Sequence, residues 1–170
     1  MTRFDSLEGV HRYMVDAHTN FPRKASKAFR KFDGVTPFWV HPSWCATTLL
    51  AEESLAEEIR VRGAWALLLH DVVEDTTLPL PTDTPAEVVA LVGDMTYAGG
   101  FAEECVKVWG HSAEVRLLKL YDKASNLMSD RCLDPVRRAE TRDYVARLVD
   151  DVERNYGPLN IVKIVRALLA

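Results

Sequence analysis

The sequence predicts an all-α fold, a single helical bundle over residues 1–170 with roughly seven to nine helices. Three observations carry this. Nearly every apolar segment repeats with helical spacing, strict alternation over a strand length is absent, and Pro and Gly punctuate the joins between segments. A chain of 170 residues is long enough for one substantial core and too short for two comfortable ones.

Ser6 opens the first helix, which runs to about His18 with Leu7, Val10, Tyr13, Met14 and Ala17 on one side. Asn20, Phe21 and Pro22 break it. A basic segment, PRKASKAFRK, and a turn, FDGVTP, lead to a helix starting near Pro42 that carries Trp44, Cys45, Thr48, Leu49 and Ala51. The next helix starts near Leu55 or Ile59 and runs to Val73. Pro79, Pro81 and Pro85 make a loop, with Thr82 or Thr84 as the expected cap of PAEVVALVGDM. Gly99 and Gly100 separate that helix from FAEECVKVWG. Ser112 caps the long helix SAEVRLLKLYDKASNLMSD, and Asp134-Pro135 starts another that reaches about Tyr156. Gly157-Pro158 ends it before LNIVKIVRALL, whose apolar face either closes the core, the commoner outcome, or pairs with another subunit.

The formal net charge is −4, so no global basic field draws the chain to nucleic acid or an anionic membrane. The N-terminal stretch MTRFDSLEGVHRYM lacks the apolar core of a signal peptide, and no apolar run approaches spanning length. Cys45, Cys105 and Cys132 form an odd, widely spaced set, which argues for buried thiols in a reducing, cytoplasmic setting.

One segment breaks the apolar pattern. In LLLHDVVEDTT, His70, Asp71, Glu74 and Asp75 fall within two turns of an otherwise apolar helix. Residues four apart share a helical face, so His70 stacks with Glu74 and Asp71 with Asp75. Like charges so placed cost about 0.2–0.5 kcal/mol per pair in water. They cost several times more when desolvated. No Lys or Arg lies between Arg62 and Lys107, so the patch faces either bulk solvent or a metal. Carboxylates at a helix C-terminus oppose the macrodipole, and the preceding AWALLL reads as buried; both weigh against idle solvent exposure.

Asp122, among the leucines of LLKLYDKASNL with Asn126 one turn on, and His41, in TPFWVHP, are each ambiguous alone. Together His41, His70, Asp71 and Asp122 make a nitrogen and oxygen ligand set without thiolate, which suits Mn, Fe, Zn or Co. A divalent ion there lowers the pKa of its water. Glu74 and Asp75, one turn beyond, are placed to orient that water or move protons.

These residues resemble the HD phosphohydrolase superfamily, whose pattern is a His, then His-Asp on one helix, then a distant Asp. Within it, ALLLHDVVEDT is similar to the His-Asp helix of the RelA/SpoT-type alarmone hydrolases, TPFWVHP to their PYxxHP segment, and KLYDKASNL to their KLxDRxxNM segment. The motifs fall in the expected order between Arg30 and Ser129. The resemblance implies a stand-alone, Mn-dependent hydrolase that removes pyrophosphate or phosphate from a nucleotide 3′ position, ppGpp first among candidates. It implies metal binding by His41, His70, Asp71 and Asp122, and catalysis by Glu74 and Asp75. Arg30 would stack on a purine or meet phosphate, Lys31 would hold phosphate, Asn126 would contact the nucleoside, and Ser129 stands where the family usually has Thr.

The chain also departs from the family. Ala25 or Ser26 stands where a His is usual, the usual Gly-Gln is missing, Met128 replaces an Arg, and the connection from Asp71 to Asp122 is short. The recognition loop is therefore the weakest part of the match. Arg30 and Lys31, read as bare sequence, are no better candidates than Arg23, Lys24 or Lys27. The arginines of the penultimate helix, Arg137, Arg138, Arg142 and Arg147, either form a cationic rim or, more commonly, pair with Glu140, Asp143 and Asp150. Three other readings stay open. They are the same chemistry on a nucleoside mono- or triphosphate or NADPH, a non-catalytic nucleotide-binding HD module, and a helical scaffold with a solvated acidic patch.

Overall fold

The computed structural model describes residues 6–170. Part of the N-terminal stretch MTRFDSLEGVHRYM considered above, residues 1–5, lies outside the described residues. Nine α-helices are present among the described residues: α1 (Leu7–Asn20), α2 (Val40–Leu50), α3 (Glu57–Leu69), α4 (Val72–Asp75), α5 (Ala86–Met95), α6 (Gly100–Lys107), α7 (Ala113–Leu127), α8 (Pro135–Tyr156) and α9 (Asn160–Leu169). Extended pairing among them is limited to two isolated bridges, Pro22 to Thr76 and Phe29 to Pro37.

Local chemistry sets several of these ends. Ser6 accepts from the Gly9 amide at 3.2 Å, Ser112 from Val115 at 3.2 Å, and Asp134 from Arg137 at 3.0 Å. The expected Thr cap of α5 is not formed. Pro85 occupies the cap, and Thr84 Oγ1 instead donates to the Pro81 carbonyl at 2.7 Å. The preceding proline supplies a carbonyl within hydroxyl reach, so the loop consumes the group that would have capped the helix.

Helix α7 is the central post. Leu117, Leu118, Leu120 and Tyr121 are all fully buried, because α2, α3, α5, α8 and α9 pack around it. Gly63 lets α3 approach closely. A Cβ there would lie 2.7 Å from Leu49 Cδ2 and 2.9 Å from Leu118 Cδ2, so the absence of a side chain sets the α2–α3–α7 spacing. The apolar tail closes the core through Ile161, Val162 and Val165. No helix of the described residues is long and apolar enough to cross a membrane.

Three expectations need correction. The helix does not run unbroken to Val73: α3 ends at Leu69, and His70 and Asp71 form a turn before the single-turn α4. With Asp71 at ψ −8°, the chain turns so that His70 and Asp71 face the bundle while Asp75 still donates its amide to the Asp71 carbonyl at 2.8 Å. Of the three thiols, Cys45 is buried, Cys105 is half-buried and Cys132 is exposed. The α8 arginines mostly reach across to other elements. Arg142 binds Asp130 and the Leu168 and Leu169 carbonyls, Arg138 binds three carbonyls after α7, and Asp150 pairs with Arg166. Helix ends leave carbonyls without intrahelical donors, and these arginines satisfy them.

Candidate metal centre and cleft

The buried end of α3, the start of α2 and the middle of α7 meet at one point. His41 comes from the first turn of α2, His70 and Asp71 from the turn after α3, and Asp122 from α7. One ligand atom each from His41, His70 and Asp71 lies within 4.8 Å of the others, so these three could hold a metal ion. Asp122 Oδ1 stands 3.3 Å from His41 Nε2 and 4.0 Å from His70 Nε2.

Hydrogen bonds behind the rings aim them. His70 Nδ1 lies 2.8 Å from the Leu67 carbonyl, which can only accept, so Nδ1 carries a proton and Nε2 turns to the cluster. His41 Nδ1 lies 2.9 Å from Ser125 Oγ, a bond that turns Nε2 toward Asp122 and Asp71. His70 Nε2 is buried and has no hydrogen-bond partner among the described residues, although Asp71 Oδ2 is 3.1 Å away off-axis. An orphaned imidazole nitrogen beside carboxylate oxygens is what a nitrogen and oxygen metal site requires, so these residues fit a divalent ion.

The electrostatics agree. Burial lowers the His70 pKa, but Asp71 and Asp122 outweigh it and lift it to about 9. Burial prevails at His41, whose pKa is lowered. Burial works against Asp71 as a carboxylate, yet His70 holds its pKa below the ordinary value. The carboxylates of the cluster attract positive charge strongly enough to keep a buried imidazole protonated, and a metal competes for the same lone pair.

All ten residues singled out in the sequence line one cavity of ≈ 330 Å³. Glu74 is exposed at its rim and accepts the Tyr97 amide at 3.2 Å. Asp75 is buried, and its Oδ1 takes Lys27 Nζ at 2.5 Å. Burial, then the charge of Asp71, raises the pKa of both. Arg30 donates to Asn126 Oδ1 at 3.1 Å, Asn126 donates to Asp122 Oδ1 at 2.9 Å, and Ser129 lies at the end of the same chain of bonds. Lys31 is exposed on the loop.

Several groups were not legible in the sequence. Lys119, 4 % exposed, bridges Asp122 Oδ2 at 2.8 Å and Glu104 Oε2 at 2.9 Å. Lys123 repeats that bridge at 3.1 and 3.0 Å. Both lysines and Glu104 line the cavity, as does Arg137, whose guanidinium lies 3.7 Å over the Phe101 ring. Lys27 is the cation that the acidic patch lacked in sequence. A Lys three and another one residue from Asp122 were visible signals, whereas Glu104 and Lys27 carry none, being brought in by packing. His18 is fully buried, stacked 4.9 Å from Phe38, and burial holds its pKa at about 4.

No family model and no curated protein matches the chain. Among solved structures it is similar to a metazoan ortholog of SpoT that hydrolyses ppGpp and plays a role in starvation responses. The TM-score is 0.75 at 22 % identity, covering 95 % of this chain and 92 % of that one. The chain therefore shares the all-α fold of a SpoT ortholog, the fold that its own His and His-Asp motifs led us to expect.

Proposed function

We propose that this chain is a metal-dependent nucleotide phosphohydrolase, acting on ppGpp at the 3′ pyrophosphate. The observation that carries the reading is the convergence of His41, His70 and Asp71 at the floor of a cleft, with His70 Nε2 orphaned and Glu74 and Asp75 beside it. The shared fold with a ppGpp-hydrolysing SpoT ortholog supports the choice of substrate.

His41, His70, Asp71 and Oδ1 of Asp122 would hold the ion, Mn²⁺ by the resemblance and Zn, Fe or Co by ligand chemistry. Bound there, a divalent ion supplies Lewis acidity and a water of lowered pKa. The chain supplies the rest. Asp75, with its pKa raised and its Oδ1 held by Lys27, is placed to take a proton from the attacking water, and Glu74 to orient that water. Lys27, Lys123 and Arg137 offset charge on the phosphoryl oxygens. The ammonium groups of Lys119 and Lys123 tie down Oδ2 of Asp122, leaving Oδ1 for the ion.

The test is phosphate and pyrophosphate release from ppGpp, nucleoside mono- and triphosphates and NADPH, with Mn²⁺ present or chelated, beside Asp71→Ala. Metal-dependent release from ppGpp that vanishes in Asp71→Ala is expected. Release from another nucleotide alone would keep the chemistry and move the substrate. No release with any metal would leave a nucleotide-binding module.

A further inference from the structure

Resting on that reading, we propose that the cleft takes the nucleobase by stacking on Phe29 and Phe32 and does not discriminate guanine from adenine. Base discrimination needs polar groups left free and aimed at the base edge. Around Arg30, between Phe29 and Phe32, the polar groups suited to that work are bonded to one another. Nη2 of Arg30 donates to the Ser125 carbonyl at 3.4 Å, Asn126 Oδ1 at 3.1 Å and Ser129 Oγ at 3.5 Å. The Asn126 amide nitrogen is used on Asp122, and Ser129 Oγ donates back to the Asn126 carbonyl at 3.3 Å.

The same side of the cleft offers ring faces instead. Phe29 and Phe32, flanking Arg30 and Lys31, are 43 % and 48 % exposed and both line the cavity that holds the metal ligands. Leaving so much aromatic surface in water is unfavourable, and two such rings three residues apart on one charged cleft mark a place for a flat apolar ligand. Lys31 beside them suits a ligand that is flat at one end and anionic at the other, as a nucleotide is. Their loop is held in place: Arg30 donates its amide to Thr36 at 2.8 Å, Phe38 to Ala28 at 2.8 Å, and Gly34 turns the chain at φ 71°. Stacking on aromatic side chains tolerates any base, because every base has a π-face.

The experiment is calorimetric titration of the Mn²⁺-loaded full chain with guanosine, adenosine and cytidine 3′,5′-bisphosphates, with phosphate release followed in the same samples. The guanosine and adenosine forms are expected to bind within about fivefold of each other, and the cytidine form no more than about tenfold weaker. Phe29→Ala combined with Phe32→Ala should weaken all three by about tenfold or more, and Phe32→Trp should retain binding. A guanine preference of about a hundredfold or more would overturn the proposal, since that demands edge contacts. So would unchanged affinity in the double variant, or no binding of any of the three. Binding without base preference, beside a protein that releases no pyrophosphate from ppGpp, would sink the hydrolase reading and leave the stacking inference standing.

Discussion

His70 donates its Nδ1–H to the carbonyl of Leu67, one turn back at 2.8 Å, and so turns Nε2 toward Asp71 and His41. A backbone carbonyl cannot change roles, so the ring's orientation is set by α3 itself and exists before any ligand arrives. Metal affinity then depends on removing one proton from a ring that the carboxylates hold at a pKa of about 9.

The sign of the pH dependence follows. In the metal-free protein the folded pKa of His70 lies above the unfolded value of about 6.5, so its stabilising contribution is full below pH ~6.5 and lost as pH rises through about 9. Metal affinity runs the other way, rising by up to about tenfold per pH unit across that window. Thermal melts with and without Mn²⁺ from pH 6.5 to 9 should show a metal-induced shift that grows with pH. A shift that shrinks with pH would show that His70 is not a ligand.

Removing a ligand and removing a proton-transfer group should separate cleanly. His70→Ala should abolish the Mn²⁺-induced rise in melting temperature, a rise that corresponds to about 2.7 kcal/mol at a hundredfold excess over Kd. Asp75→Asn should keep that rise and lower turnover by about 10²–10⁴-fold. If Asp75→Asn loses the metal shift as well, the division between ligands and catalytic groups is wrong.

Lys27 tunes Asp75. Burial and the charge of Asp71 raise the pKa of Asp75, while Lys27 opposes them. Lys27→Ala should therefore raise it further and move the acidic limb of the pH–rate profile to higher pH. Lys27→Arg should leave the limb near its original position. An unmoved limb in Lys27→Ala would exclude Asp75 as the group that must be ionised.

The paired lysines beneath Asp122 are a buried network of two cations and two carboxylates. Lys119→Met removes one cation and leaves Glu104 and Asp122 sharing Lys123. Breaking a buried pair from one side costs about 3–5 kcal/mol. Urea denaturation of the metal-free protein should show a loss of that order. Adding Glu104→Gln should recover part of it, because one of the uncompensated charges is then gone. A double variant as unstable as the sum of the two single changes would rule out coupling between Lys119 and Glu104.

Most of what acts over a few residues could be read from the sequence alone. The periodicity of apolar positions and the caps at Ser6, Ser112 and Asp134 are local properties readable along the chain, whereas the break after Leu69, which turns His70 and Asp71 toward the bundle, was not. The four candidate ligands were readable too, the spacing making them suspicious and the family resemblance joining them. Only the tertiary structure decided how charges are compensated. Lys27 reaches Asp75 from a loop that precedes α2, and Glu104 reaches Lys119 from α6. It also decided that Arg30 and Asn126 bond to one another and that Phe29 and Phe32 stay exposed. A helix periodicity states which face is buried but not which face of another helix it meets, and the energy of a buried ion pair depends on that meeting.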